Sequence, residues 1–337
     1  MLSHAYGCWR HSDIAFSVPG VGTVRVMRYG AHLPLIDFDG AGWRPDTLVS
    51  YAAAAHRLGY AAVTANDHVV FQRPWLDAVV ALASVAEASV DLQLATTIAL
   101  PVVRGPAVLA KAAAALDIVS GGRLVLGVGA GSSPRDLAAV GVRFDERWPR
   151  FEESVRALRA YLTPGAPPFR GRFYVTDEAL RPYPDRVDGP PIWLASWGSR
   201  AGLRRVARLG DGWLASAYNT TPEQVVAARE TLAVELARTG RTIDDFPCSL
   251  ATMWTYVTDD EREREAHLTA LGAMLNRPVD ALAGRLLIGS AEHCAAVTRA
   301  YAAAGIGRLY IWPLADAEHQ LERFMAEVVG SERPHSL

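Results

Sequence analysis

The residues best able to do chemistry lie in short clusters at the ends of apolar runs. Asn66-Asp67-His68 follows the run Tyr60 to Ala65. An imidazole titrates near neutrality, so His68 can protonate a substrate or hydrogen-bond a cofactor, with Asp67 beside it. His32, near the end of an earlier run, is a second candidate for that role, whereas His56 falls inside an expected helix and reads as structural. Gly129, Ala130, Gly131 and Ser132 close a further run, where small residues either let backbone amides approach a phosphate or ring edge or simply form a tight turn. Ser196-Trp197-Gly198-Ser199-Arg200 precedes an expected helix. A helix amino terminus offers unpaired N–H groups and a positive dipole to an anion, and Ser199 and Arg200 add side-chain donors.

Other chemistries lack their residues. The glycine run is no dinucleotide fingerprint, because no acidic residue follows at the required spacing. No HxH or HExxH pair, GxSxG elbow or phosphate-binding P-loop occurs, which argues against metal hydrolysis, a serine nucleophile and nucleotide hydrolysis, and no metal is expected. Nine tryptophans are many for 337 residues. Trp43, Trp75, Trp197, Trp213, Trp254 and Trp312 fall near expected strand ends or loops, where flat aromatic walls suit a ring-shaped ligand or core packing.

These clusters need a scaffold, and its rhythm is regular. Strands are expected at Arg28 to Pro34, Tyr60 to Ala65, Leu92 to Leu100, Arg123 to Val128, Pro191 to Ala195, Gly212 to Ala215, Cys248 to Val257 and Arg308 to Ile311. Between them, helical spacing marks Pro45 to Leu58, Pro74 to Ala88, the stretch from Pro106 to Gly121-Gly122, Glu146 to Leu162, Arg200 to Arg208, Pro222 to Thr239, Asp260 to Ala304 and Asp316 to Val329. Eight strands, each followed by a crossover, favour a (β/α)8 barrel, with a doubly wound open sheet as the second choice. In either, the clusters above sit at the carboxyl ends of strands, where ligands bind. Residues 1–26 show no clear periodicity and are expected as an N-terminal extension, ordered or disordered. Residues 27–330 form one barrel domain with a proline- and glycine-rich insertion at about 163–190, and 331–337 a tail.

Composition sets the class. Half the residues are hydrophobic, 21% are charged, and the formal net charge is −2. This suits a substantial core and offers no basic surface for nucleic acid or anionic membrane. Three scattered cysteines, Cys8, Cys248 and Cys294, indicate no disulfide framework, and no run reads as a signal peptide or membrane span, so a cytoplasmic location is expected. Alanine- and leucine-rich helical surfaces make a homodimer plausible.

Taken in order, LGYAAVTANDHV, LPVVRGPAVLAKAAAALDIVSGGRLVLGVGAG, GVRFDERWPRFEESVRALRAYL, PPIWLAS, LRRVARLGDGW and AAAGIGRLYIWPL resemble the luciferase-like monooxygenase superfamily, within it the branch that uses the deazaflavin coenzyme F420. The resemblance implies a TIM barrel with insertions. It also implies a bulged strand at Thr96-Thr97-Ile98 with a non-prolyl cis bond at Thr97-Ile98 behind the ring, His68 near the ring, and the cofactor phosphate at Gly198 and Ser199. The implied activity is hydride transfer between F420 and a small organic substrate. The alternatives are a monooxygenase using reduced FMN and oxygen, and a non-catalytic flavin-binding barrel. Where many relatives carry tryptophan and a nearby glutamate, this chain has Ser132-Ser133-Pro134-Arg135-Asp136 after its glycine run.

Overall fold

A computed structural model describes residues 15–18, 22–25, 27–44 and 46–330. The chain opens with strands β1 (Ala15–Val18) and β2 (Gly22–Arg25), followed by β3 (Arg28–His32), α1 (Thr47–Arg57), β4 (Ala62–Ala65) and α2 (Ala78–Ser84). Next come β5 (Gln93–Thr96), α3 (Pro101–Arg104), α4 (Pro106–Val119), β6 (Leu124–Val128), α5 (Pro134–Ala139) and α6 (Arg147–Leu162). The second half runs β7 (Ile192–Ala195), α7 (Arg200–Leu209), β8 (Gly212–Ser216), α8 (Pro222–Ala237), β9 (Cys248–Val257), α9 (Glu261–Leu275) and α10 (Asp280–Ala283). It ends with β10 (Leu287–Gly289), α11 (Ala291–Ala303), β11 (Arg308–Pro313) and α12 (Ala317–Arg323).

Strands β3 to β9 and β11 pair in parallel and close on themselves through β8 with β9 and β11 with β3. The result is the expected eight-stranded barrel. Helices outside and side chains inside bury both faces, which is why β4, β6 and β8 are wholly buried and, apart from Thr64 and Ser216, free of polar residues. The interior is filled by Ala62, Ala95, Val125, Trp193, Leu214, Ala251 and Tyr310, one from each of seven strands. The eighth strand supplies Gly30, where a Cβ would come within 2.5 Å of Tyr310 Cδ1; Gly212 likewise yields space to Trp193. Two large rings thus fit a closed barrel because glycines face them.

Four expectations change. The stretch Asp260 to Ala304, expected as helical, contains β10, which pairs in parallel with the far end of β9 outside the closed ring. Its three residues are too short a run to be told from buried helix by periodicity. Residues 1–26, expected as unpatterned extension, include β1 and β2, which pair antiparallel; the rest of that stretch and the expected tail 331–337 lie outside the described residues. The strand expected at Leu92 to Leu100 stops at Thr96, and α3 begins at Pro101. The helix expected from Pro74 starts at Ala78, because the Asp77 side chain accepts from the amides of Val79 and Val80 and fixes the start there. The 163–190 stretch makes one short bridge, Arg170 with Val175, and Glu153 of α6 holds it by accepting from the amides of Arg172 and Phe173.

Candidate active site

The carboxyl ends of β3, β4, β9 and β11 carry an aromatic cluster. The Trp312 ring lies 3.6 Å from that of His32 and 4.8 Å from Trp254, centroid to centroid. Trp75 stands 6.5 Å from Trp312 and 4.7 Å from His68, which also meets Phe71 at 4.9 Å. Of these rings, His68, Phe71, Trp75, Trp254 and Trp312 wall a cavity of about 360 Å³ that opens at this end of the barrel, together with the polar side chains of Asn66, Gln72 and Thr252. Ser132 and Ser133 from the β6–α5 loop close one side of it, and Met274 and Leu275 from the end of α9 another.

His68 is the one histidine on that wall, and its partner is Asp136. Its Nδ1 lies 2.8 Å from Asp136 Oδ2, while the amides of Val69 and Val70 donate to Oδ1 at 3.0 and 2.7 Å. Burial pushes the Asp136 carboxyl up, but the hydrogen bonds from His68 and those amides outweigh it and hold the carboxyl below its ordinary value. An ionised carboxylate only accepts, so Nδ1 is the protonated nitrogen of the neutral ring. The lone pair is then on Nε2, which has no protein partner among the described residues. Asp136 enters through α5, whose N-cap Ser133 accepts from the Asp136 amide at 3.3 Å. Sequence reading passed over Asp136 because 68 positions separate it from His68. The signal available was the Ser133-Pro134-x-Asp136 helix start beside the glycine run.

The other expected catalytic groups are engaged elsewhere. Asp67 is buried, with both carboxylate oxygens on Arg104 at 2.7 and 2.5 Å and the Leu100 amide at 3.1 Å. It ties the loop after β4 to α3 and is a positioning residue, not a proton carrier. His32 donates from Nδ1 to the Leu33 carbonyl at 2.8 Å, and its Nε2 lies 3.1 Å from Asn66 Oδ1, a contact that the neutral ring satisfies as acceptor once the Asn66 amide is turned to present its NH2. Burial lowers its pKa to about 3, against the smaller raising effect of those two bonds, so it is neutral at physiological pH and serves as packing under Trp312.

The expected cofactor residues fall into two groups. At the β5 and β6 ends the Thr97-Ile98 bond is cis. Gly129 lies against Ile98, where a Cβ would sit 2.1 Å from Ile98 Cδ1. Thr96 is committed to the barrel, its hydroxyl donating to the Gly127 carbonyl at 2.7 Å, and Ala130 is buried. Gly131 turns the chain with φ +83° toward exposed Ser132. At the β7 end, Ser199 caps α7 by accepting from the Gly202 amide, Gly198 has φ +89°, and Arg200 and Trp197 are exposed. That group borders the barrel mouth but does not line the aromatic cavity. A further feature was invisible in sequence: Thr252, on the cavity wall, interrupts β9 with φ +56° opposite a register shift in β11. A β-branched residue in that region is strained, a device typical of ligand sites.

Three buried polar atoms near these walls, Thr97 Oγ1, Trp254 Nε1 and Trp312 Nε1, have no partner in the protein among the described residues. Buried donors left unpaired beside aromatic rings fit a flat, polar-edged ring. The sequence profile of the luciferase-like monooxygenases matches residues 32–308. The chain belongs to the luciferase-like monooxygenase family. Among members of this family it is similar to an F420-dependent glucose-6-phosphate dehydrogenase of Amycolatopsis mediterranei, at 28% identity over 86% of this chain and 95% of that one. An F420-dependent hydroxymycolic acid dehydrogenase of Mycobacterium tuberculosis is 30% identical over 66% of this chain and 62% of its own. The barrel also superposes on an F420-dependent secondary alcohol dehydrogenase holding an F420-acetone adduct, with TM-score 0.79 and 18% identity over 91% and 99% of the two chains. The family resemblance and the luciferase-like barrel expected from sequence both hold.

Proposed function

We propose that this luciferase-like enzyme is an F420-dependent oxidoreductase acting on a small organic substrate, with His68 as its proton carrier. The observation that carries the reading is the His68–Asp136 pair, which engages Nδ1 and leaves Nε2 without a protein partner among the described residues, on a ring that lines the cavity at the carboxyl end of the barrel. The relatives named for F420 support the choice of cofactor.

F420, when bound, supplies the two-electron hydride chemistry. Thr97, Ile98 and Gly129 would hold its ring, and Gly198, Ser199 and Arg200 its phosphate. The protein's own work is then threefold. His68 Nε2 accepts the hydroxyl proton of an alcohol, or returns it to a carbonyl in the reverse direction. Asp136 keeps the imidazole in the required tautomer and stabilises it when charged. Phe71, Trp75 and Trp312 exclude water from the reacting carbon.

The same wall could serve reduced FMN and oxygen, the chemistry named by the family. Equilibrium titration of the protein with F420 and with FMN, followed by visible absorption, separates the two. Saturable F420 binding with weak or no FMN binding is expected; tight FMN binding without F420 binding overturns the reading. No helix among the described residues is long and apolar enough to cross a membrane. On this reading the enzyme works in the cytoplasm as a homodimer, which light scattering of the purified chain would report as twice the 36.4 kDa chain mass.

A further inference from the structure

We propose that the opposite end of the barrel holds a second binding site, which takes a small carboxylate with a flat, apolar body. A cavity of about 340 Å³ lies there, at the amino ends of β5 to β9 and β11, and its volume is in the range of small-ligand pockets. In this fold the chemistry is done at the carboxyl end, and the amino end serves stability. The reaction therefore gives this cavity no role. Two guanidinium groups line it. Arg308, the first residue of β11, lies over the Trp193 indole, 5.1 Å from the ring centre, and donates from Nη1 to Gln93 Oε1 at 2.8 Å. Arg229 of α8 donates from Nη1 to the Gly305 carbonyl at 2.8 Å. A Cβ at position 305 would lie 2.3 Å from Arg229 Nε, so the glycine makes the room that this arginine occupies.

Among the described residues neither arginine forms an ion pair. The two carboxylates on the wall are engaged elsewhere. Asp211 accepts from Arg159 at 2.6 Å and from the Ile192 amide at 2.8 Å, and Asp245, exposed, accepts from the Thr242 hydroxyl at 2.8 Å. A guanidinium carries five N–H donors in a planar fork, so both arginines keep donors that match a carboxylate edge. Ser249, wholly buried on the same wall, has an Oγ with no partner among the described residues, a polar group that the protein itself leaves unsatisfied. The remaining lining is apolar, chiefly Val125, Pro191, Phe246 and Pro247 beside Trp193. An inorganic anion would gain nothing from those side chains, whereas a flat organic body covers them. With Asp211 and Asp245 on the wall, a monoanion is favoured over a phosphate dianion.

Calorimetric titration of the full chain with benzoate, benzamide and inorganic phosphate, at constant ionic strength, tests this. Benzoate is expected to saturate one site per chain, with benzamide and phosphate at least about tenfold weaker. Arg308→Met and Arg229→Met should each lower benzoate affinity about tenfold, while Arg135→Met, on the wall of the cavity at the other end, leaves it unchanged. Benzamide or phosphate matching benzoate overturns the proposal, as does the absence of saturable benzoate binding or its loss in Arg135→Met. Crystals grown with 4-bromobenzoate locate the ligand without any substitution, through the anomalous scattering of bromine. A bromine peak in the cavity beside Arg229 and Arg308 is expected; peaks found only elsewhere overturn the site. None of these measurements depends on which cofactor the enzyme uses.

Discussion

A histidine becomes a directed proton carrier only when one ring nitrogen is committed, and Asp136 makes that commitment for His68. Asp136→Asn places an amide where a pure acceptor stood, so the tautomer with Nε2 protonated becomes competitive. The expected result is a fall in kcat of roughly 100-fold with KM and F420 affinity little changed. An equal loss in kcat and in F420 binding would assign Asp136 to cofactor holding instead. The pair also bears on stability. The Asp136 carboxyl is held below its ordinary value near 3.8, so its contribution is present above that pH and is lost as pH falls through the lowered folded-state value. At this scale the sequence was half legible. His68 could be picked out because it ends a strand, whereas Asp136 is joined to it only by the closure of the barrel. Asp67, adjacent in sequence, points the other way to Arg104.

Elements position the site through their termini. Gly129 follows β6 in contact with Ile98, so Gly129→Val must displace that side chain. Such overpacking costs about 1–3 kcal/mol, and F420 affinity should fall with it, roughly tenfold. Urea unfolding and a cofactor titration check both; unchanged affinity would remove Ile98 from the ring site. Ser199→Ala deletes the α7 cap and should destabilise by about 1 kcal/mol. A loss of F420 affinity in that variant beyond its stability change would place the phosphate at α7, and unchanged affinity would remove it from there. Most elements were readable because buried parallel strands are continuous apolar runs between helix signals. β10 was not, since three apolar residues between helices carry no period. The Thr252 bulge left no mark either, because its positive φ comes from closing the barrel and not from a glycine.

Over the whole molecule, the closed ring turns sequence clusters from β3, β4, β6, β9 and β11 into one wall, and it also buries His32. An unfolded chain protonates this side chain below its ordinary 6.5, but the fold does so only near 3. The unfolded state therefore binds more protons between those values. Stability is complete above pH 6.5 and falls as pH drops toward 3, by up to several kcal/mol. His32→Gln should flatten the decline of Tm between pH 6.5 and 4; an unchanged slope would contradict the burial. The order of strands and helices already implied the barrel, and its strand ends already implied the site. Which residues meet inside it was set by closure, which periodicity does not encode.

On the proposed reading, His68 carries the proton for a hydride transfer to F420. The most direct test of that role is anaerobic single turnover of the F420-loaded protein with a secondary alcohol, following the visible absorption of the deazaflavin in wild type and His68→Gln. Bleaching is expected in wild type, and a rate at least about 100-fold lower in the variant, with F420 affinity unchanged. Equal rates in the two proteins, or no bleaching in a wild type that binds F420 and the alcohol, would contradict it.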